Sequence, residues 1–149
     1  MKVEIKHLSD QQQEESALLE IFELTANIET AVTLLQEDDF LFEAKNIETE
    51  AFVKLKFSQL VYAEYLERNI FLYTAEAGYS MRLSLSNFLK QLPQNFVQIS
   101  KSVVVNLYGI QNFSATGSGN LIITVTTGEK LVVNRRYVKN LKELLHSQS

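Results

Sequence analysis

Phe96-Val-Gln-Ile-Ser-Lys-Ser-Val-Val-Val-Asn106 holds two apolar runs that read as strands, with the polar triplet Ser100-Lys101-Ser102 between them. Further on, Val132-Val-Asn-Arg-Arg-Tyr-Val138 carries a β-branched strand straight into paired arginines that open an amphipathic helix. Both stretches set cations on an apolar framework that would hold them still. Such an arrangement suits an anionic partner better than it suits catalysis.

Working outward from this centre, the periodicity is mainly two. Strands are expected over 40–45, 51–57, 60–66, 70–74, 79–83, 110–113, 121–126 and 130–133. Asn46 to Glu50, Glu67-Arg68-Asn69, Glu76-Ala-Gly78, Thr116-Gly-Ser-Gly-Asn120 and Thr127-Gly128 supply the turns. A helix starting at Ser84 would bury Leu85, Phe88, Leu89 and Leu92 and stop before Pro93, which disfavours helical geometry in the residue ahead of it. A last helix, 135–145, would bury Tyr137 or Val138, together with Leu141, Leu144 and Leu145. Asn106 reads as a cap or turn residue. In front, 2–8 alternates as a strand and 18–24 is pulled between strand and helix, with Ile21 and Phe22 favouring strand. A helix capped by Asn27 would follow, burying Ile28, Ala31, Val32 and Leu35. The fold class expected is therefore mainly β with short helices, preceded by a small β/α extension over 1–46.

At 149 residues the chain suits one domain, or one domain with a small appendage, and can bury a real core. No apolar run approaches the roughly 18 residues of a membrane span, and the amino terminus has no signal-peptide core. The lack of cysteine excludes disulfides and thiolate metal sites and agrees with a cytoplasmic home. The net charge of −4 conceals a strong asymmetry. Residues 1–50 carry three Lys against thirteen Asp or Glu, whereas residues 96–149 carry six Lys or Arg against two Glu. An acidic front and a basic back point to nucleic acid or to an interaction tail, or simply to a solvated acidic surface.

Catalytic equipment is thin. His7 and His146 lie in no metal-ligand spacing, the acidic pairs Glu14-Glu15 and Asp38-Asp39 read as solvated, and Gly117-Ser-Gly119 lacks the context of a dinucleotide loop. No enzyme, metal or cofactor is expected. The basic set says more. Arg135 and Arg136 stand at a helix start, where cations oppose the macrodipole, and breaking a local rule is what functional sites tend to do. With Asn134 as N-cap, that helix start would offer free backbone N–H groups to a phosphate. The plain alternative pairs one arginine with Glu129 or Glu143. Ser100-Lys101-Ser102 offers one charge and two hydroxyls for phosphate or base edges, or is only a polar turn, and Glu67-Arg68-Asn69 reads either way too.

The two quoted stretches, extended by Ile110 and by Gly128-Glu-Lys-Leu-Val-Val-Asn-Arg-Arg-Tyr-Val-Lys-Asn-Leu141, resemble the LytTR DNA-binding domain family over about residues 50–146. The resemblance implies an elongated β-sandwich that reads DNA with loops in successive major grooves. Carried over by position, the DNA-contacting residues are Lys101 with Ser100 and Ser102, Arg136 with Arg135, and Arg68 with Asn69. Where the family's hairpin often carries a histidine or tyrosine after the tip, this chain has Ile70. A front of about 45 residues is far short of a receiver domain, so the resemblance implies the stand-alone bacterial form, often encoded beside a small membrane protein that restrains it. The expected function is a sequence-specific transcriptional regulator binding double-stranded DNA as a homodimer on a direct repeat. The resemblance divides the chain into an acidic extension over 1–46, regulatory or dimerising, and a LytTR-like DNA-binding domain over 47–149; the alternative is a protein-interaction module docking through the acidic segment 1–46.

Overall fold

Strict alternation in the middle of the chain, punctuated by short turns, builds an antiparallel architecture. The structure, a computed structural model, describes residues 1–36 and 41–147. Its elements in order are α1 (Ala26–Gln36), β1 (Leu41–Asn46), β2 (Phe52–Lys56), β3 (Leu60–Leu66), β4 (Asn69–Thr74), β5 (Gly78–Met81), α2 (Leu85–Gln91), β6 (Phe96–Gln98), β7 (Val103–Asn106), β8 (Ile110–Ala115), β9 (Leu121–Val125), β10 (Lys130–Val133) and α3 (Arg135–Ser147). One seven-stranded sheet runs β2-β1-β5-β4-β3-β7-β6, and a three-stranded sheet runs β10-β9-β8. Two 3-10 turns that the periodicity did not reveal, Phe57–Gln59 and Leu107–Gly109, link β2 to β3 and β7 to β8. The expected strand start at Phe40 and the acidic pair Asp38-Asp39 lie outside the described residues.

Two cores result. The first joins Phe42, Leu55, Phe57, Leu60, Leu72 and the wholly buried Phe88 of α2. The second packs Val97, Ile99 and Val105 against Ile123, Val133 and Leu141 of the smaller sheet and α3. β3 serves both: Leu60 and Ala63 face the first core and Val61 the second, across a bulge between Leu60 and Tyr62. This is the sandwich. Ser84 caps α2 by accepting the Asn87 N–H at 3.3 Å, and Pro93 follows its last turn, as the sequence indicated.

Asn106 performs the structural task assigned to it. Its Oδ1 accepts from Asn95 Nδ2 at 2.9 Å and from the Tyr108 N–H at 3.0 Å, while its Nδ2 donates to the Leu60 carbonyl at 3.0 Å. One buried amide thus ties the end of β7 to the start of β3, where an unmet polar group would be costly.

The front departs from expectation. Residues 1–24 form neither helix nor strand, so the strands expected over 2–8 and 18–24 are not made within the chain. Their apolar side chains are exposed, among them Val3, Ile5, Leu18, Phe22 and Leu24. Alternation fixes which residues share a face, but a strand also needs a hydrogen-bonding neighbour. The helix begins one residue earlier than read and is capped by Thr25, whose Oγ1 accepts the Ile28 N–H at 3.3 Å. Thr30 is its buried residue, Ile28 and Val32 are half-buried, and Ala31 and Leu35 are exposed. Asn27 instead accepts from the Tyr108 hydroxyl at 3.2 Å. β1, the last piece of the segment 1–46, pairs with both β2 and β5 and places Phe42 and Ala44 in the first core.

Candidate nucleic-acid interface

The strand register brings the candidate loops to one end of the molecule. Leu66 pairs with Asn69, so β3 and β4 are joined by the two-residue tip Glu67-Arg68. Two steps before that tip, the Tyr65 N–H donates to the Ser102 carbonyl at 2.7 Å, which sets the Ser100-Lys101-Ser102 loop beside it. The Asn134 N–H donates to the Ile99 carbonyl at 2.8 Å and so holds the start of α3 against the other side of that loop. The Arg135 N–H donates to Asn120 Oδ1 at 2.9 Å, bringing in the turn between β8 and β9. All seven candidate residues therefore lie on one edge.

Within the triplet the side chains divide. Ser100 is turned to its own loop, its Oγ accepting from the Val103 N–H at 3.1 Å and the Ser102 N–H at 3.3 Å. Gln98 Nε2 donates to the Lys101 carbonyl at 3.2 Å, which fixes the backbone and leaves the ammonium exposed. The hairpin tip is strained. Glu67 and Arg68 adopt φ of 52° and 68°, values that side-chain-bearing residues occupy at a cost of roughly 1–2 kcal/mol each. Asn69 Nδ2 donates to the Glu67 carbonyl at 3.1 Å and closes the tip, with Arg68 exposed at its apex. A chain that tolerates this geometry where Asn-Gly would be relaxed has placed a cation there.

The start of α3 corrects one expectation. Its first N–H groups are not free: Arg135 donates to Asn120 Oδ1, Arg136 to Asn134 Oδ1 at 3.2 Å, and Tyr137 to the Asn134 carbonyl at 2.8 Å. Asn134 is the N-cap, as read. Any anion here would be met by side chains and not by the helix terminus. Gly119, at φ +89°, clears a path for Arg135, since a Cβ there would stand 3.0 Å from Arg135 Cδ. The Arg135 stem crosses that turn, while Arg136 extends from the exposed face of the helix start.

One cation escaped the sequence reading. Ile70 pairs with Met81, so the next residue, Arg82, stands beside Asn69 at the same end. The pairing of β5 with β4 was not legible, and without it Arg82 is one arginine within the strand expected over 79–83, which in fact ends at Met81. Among the described residues, the side chains of Arg68, Arg82, Lys101, Arg135 and Arg136 make no ion pair, so neither Glu129 nor Glu143 neutralises an arginine of the pair. At the other end of β3 and β4 lies a cleft of about 350 Å³ bordered by Ser58, Leu60, Thr74 and Tyr108, remote in register from these cations.

Elsewhere, burial raises the phenol of Tyr62 to about 12, helped by the carboxylate of Glu129, by Tyr73 and by Glu64. Its ring stacks on that of Tyr73 at 4.5 Å between centroids. Among the described residues no helix is long and apolar enough to cross a membrane.

Fold and edge together define an antiparallel β-sandwich domain with a cluster of cations at one end of its sheets. The model of the LytTr DNA-binding domain matches residues 50–146, and the chain belongs to that family. A solved LytTr DNA-binding domain from Bacillus cereus has the same fold, with a TM-score of 0.64 at 22% identity over 70% of this chain and 95% of that one. Two Staphylococcus aureus proteins, each described only as an HTH-type transcriptional regulator, are similar over 88 residues. The one from strain NCTC 8325 is 31% identical and the one from strain MRSA252 30% identical. In both cases the match spans 59% of this chain and 60% of the relative. Among the described residues here, no two helices are joined by a short turn, and the cations of this edge stand on turns, beside β5 and at the start of α3.

Proposed function

We propose that this chain is a sequence-specific transcriptional regulator that binds double-stranded DNA and does no chemistry of its own. The carrying observation is the convergence of Arg68, Arg82, Lys101, Arg135 and Arg136 on one edge with no ion pair among the described residues, in a chain whose net charge is −4. Loops at a sandwich end can follow the grooves of a duplex, with Arg136 and Lys101 reaching base edges or phosphates and Ser102, Arg135, Arg68 and Asn69 around them. Ser100 serves by shaping the loop. The regulator acts as a homodimer on a direct repeat spaced by about one helical turn, so that both protomers meet the same face of the DNA. Residues 1–46 form the regulatory or dimerising unit, joined through β1 to the sheet of the DNA-binding body, residues 47–149, and a small membrane protein encoded beside the gene is a partner that restrains it. The test is binding to promoter DNA from the gene's own neighbourhood under excess nonspecific competitor. Saturable, competitor-resistant binding supports the reading; binding that competitor removes completely overturns it for those promoters.

A second reading is favoured by the exposed apolar residues of the front segment: a protein-interaction module that docks through residues 1–46. Removing residues 1–24, which leaves β1 in its sheet, separates the two. A regulator keeps affinity for a single DNA site, and a docking module loses its partner.

A further inference from the structure

The front segment has the composition of a strand and no neighbour. Residues 18–23 read Leu-Leu-Glu-Ile-Phe-Glu, and their large apolar side chains are exposed in the single chain. Exposing so many apolar groups in series is unusual for a monomer and marks a surface that another element covers. Meanwhile β2 is the terminal strand of the seven-stranded sheet, so among the described residues no strand faces its outer row of backbone N–H and C=O groups. Such an edge is a template for an added strand. β2 has none of the usual protection by a bulge or proline, and its outward face presents Phe52, 68% exposed, with Lys54.

We propose that residues 18–23 of one copy add antiparallel to the β2 edge of a second copy of this chain. One register satisfies both faces. Setting Glu20 opposite Lys54 puts Phe22 opposite Phe52 on the outer face, and Leu19 opposite Leu55 with Ile21 opposite Val53 on the inner face. These four central pairings are complementary: carboxylate with ammonium, ring with ring, aliphatic with aliphatic. A slip by one residue would set Glu20 against an apolar neighbour and Phe22 on the wrong face. Charge agrees at longer range too, since residues 1–36 carry seven Asp or Glu against two Lys. The occupant is a second copy because this chain's own arm does not use the edge: α1, which follows it, is held at Asn27 by Tyr108 and the arm leaves that point unpaired. Arm-to-edge contact joins unlike surfaces, the kind of contact two protomers on a direct repeat can make. It does not depend on the DNA reading.

The absence of cysteine makes the test direct. Full-length Phe22→Cys protein is mixed with full-length Phe52→Cys protein under mild oxidation, and the products are resolved without reductant. Facing residues of neighbouring antiparallel strands can be bridged. The expected result is a mixed disulfide dimer as the main product, lost when Lys54→Glu is added to the edge protein and restored when Glu20→Lys is added to the arm protein. Three results would each overturn the proposal. A Phe22→Cys homodimer as main product would mean that arm meets arm. An intrachain disulfide in monomeric Phe22→Cys/Phe52→Cys protein would mean that the arm folds onto its own edge. No cross-link at all would assign the arm to a different partner. Because no DNA is present, failure here leaves the DNA reading untouched, and failure of DNA binding leaves this result standing.

Discussion

The backbone amide of Asn134 donates to the carbonyl of Ile99 at 2.8 Å, and this bond locks the loop that bears Lys101 to the helix that bears Arg136. Neither cation is placed by a flexible stem alone. Each sits on a backbone fixed from both sides, which is how a site gains precision from its scaffold. The same Asn134 caps α3 with its side chain. Asn134→Ala keeps the backbone bond and removes the cap, so stability should fall by about 1 kcal/mol in urea denaturation, with the fold retained. A loss of several kcal/mol would mean that the residue has a larger structural role.

The hairpin tip should show opposed effects on stability and binding. Replacing Glu67-Arg68 by Asn-Gly removes two strained left-handed residues and should stabilise the domain by roughly 1–2 kcal/mol, while DNA affinity falls for want of Arg68. Thermal melts and binding on one preparation decide it. Gain in both would show that Arg68 is not used.

Asn106→Ala should be among the most damaging single changes. It strands the Asn95 amide, the Tyr108 N–H and the Leu60 carbonyl together, and should cost at least about 2 kcal/mol. A near-neutral result in equilibrium unfolding would contradict the role given to this amide.

Much of the fold was legible and part of it was not, for identifiable reasons. Strands from β2 to β10 announce themselves because alternation and turn residues are local signals, and Ser84 with Pro93 brackets α2 in the same way. The order in which those strands pair is not local, so Arg82 became part of the edge only once Met81 stood opposite Ile70. The 3-10 turns were hidden inside strand-like composition. Alternation over 2–8, and the β-favouring Ile21 and Phe22 within 18–24, misled because they specify a strand's composition and faces without specifying a neighbour. Arg135 and Arg136 stood out by their violation of helix electrostatics, yet the first N–H of that helix, Arg135's, is occupied by Asn120, fifteen positions away.

Alkaline conditions should weaken the fold through Tyr62. Its phenol is raised from 10 to about 12 in the folded state, first by burial and then by Glu129, so the native protein keeps a proton that the unfolded chain gives up. Stability present below pH 10 should therefore decline as pH rises from 10 towards 12. Tyr62→Phe should flatten that decline, as read by thermal melts across the range. An unchanged slope would remove Tyr62 as its source.

Arg82 supplies a prediction that sequence alone would not have prompted. If it meets a phosphate beside Asn69, Arg82→Ala should weaken binding to specific and nonspecific DNA alike and reduce the salt slope by about 1. A change confined to one DNA sequence would make it a base contact instead.

The proposal that one edge of cations reads DNA is tested most directly by a salt titration of promoter binding by the native chain beside its Arg136→Ala variant. The account expects log affinity to fall linearly with log salt, at a slope near −0.9 per phosphate neutralised, in the native chain. The variant should keep its fold and lose preference for the specific site, by about 1–3 kcal/mol. Equal specific affinity in both proteins, with the same slope, would contradict it.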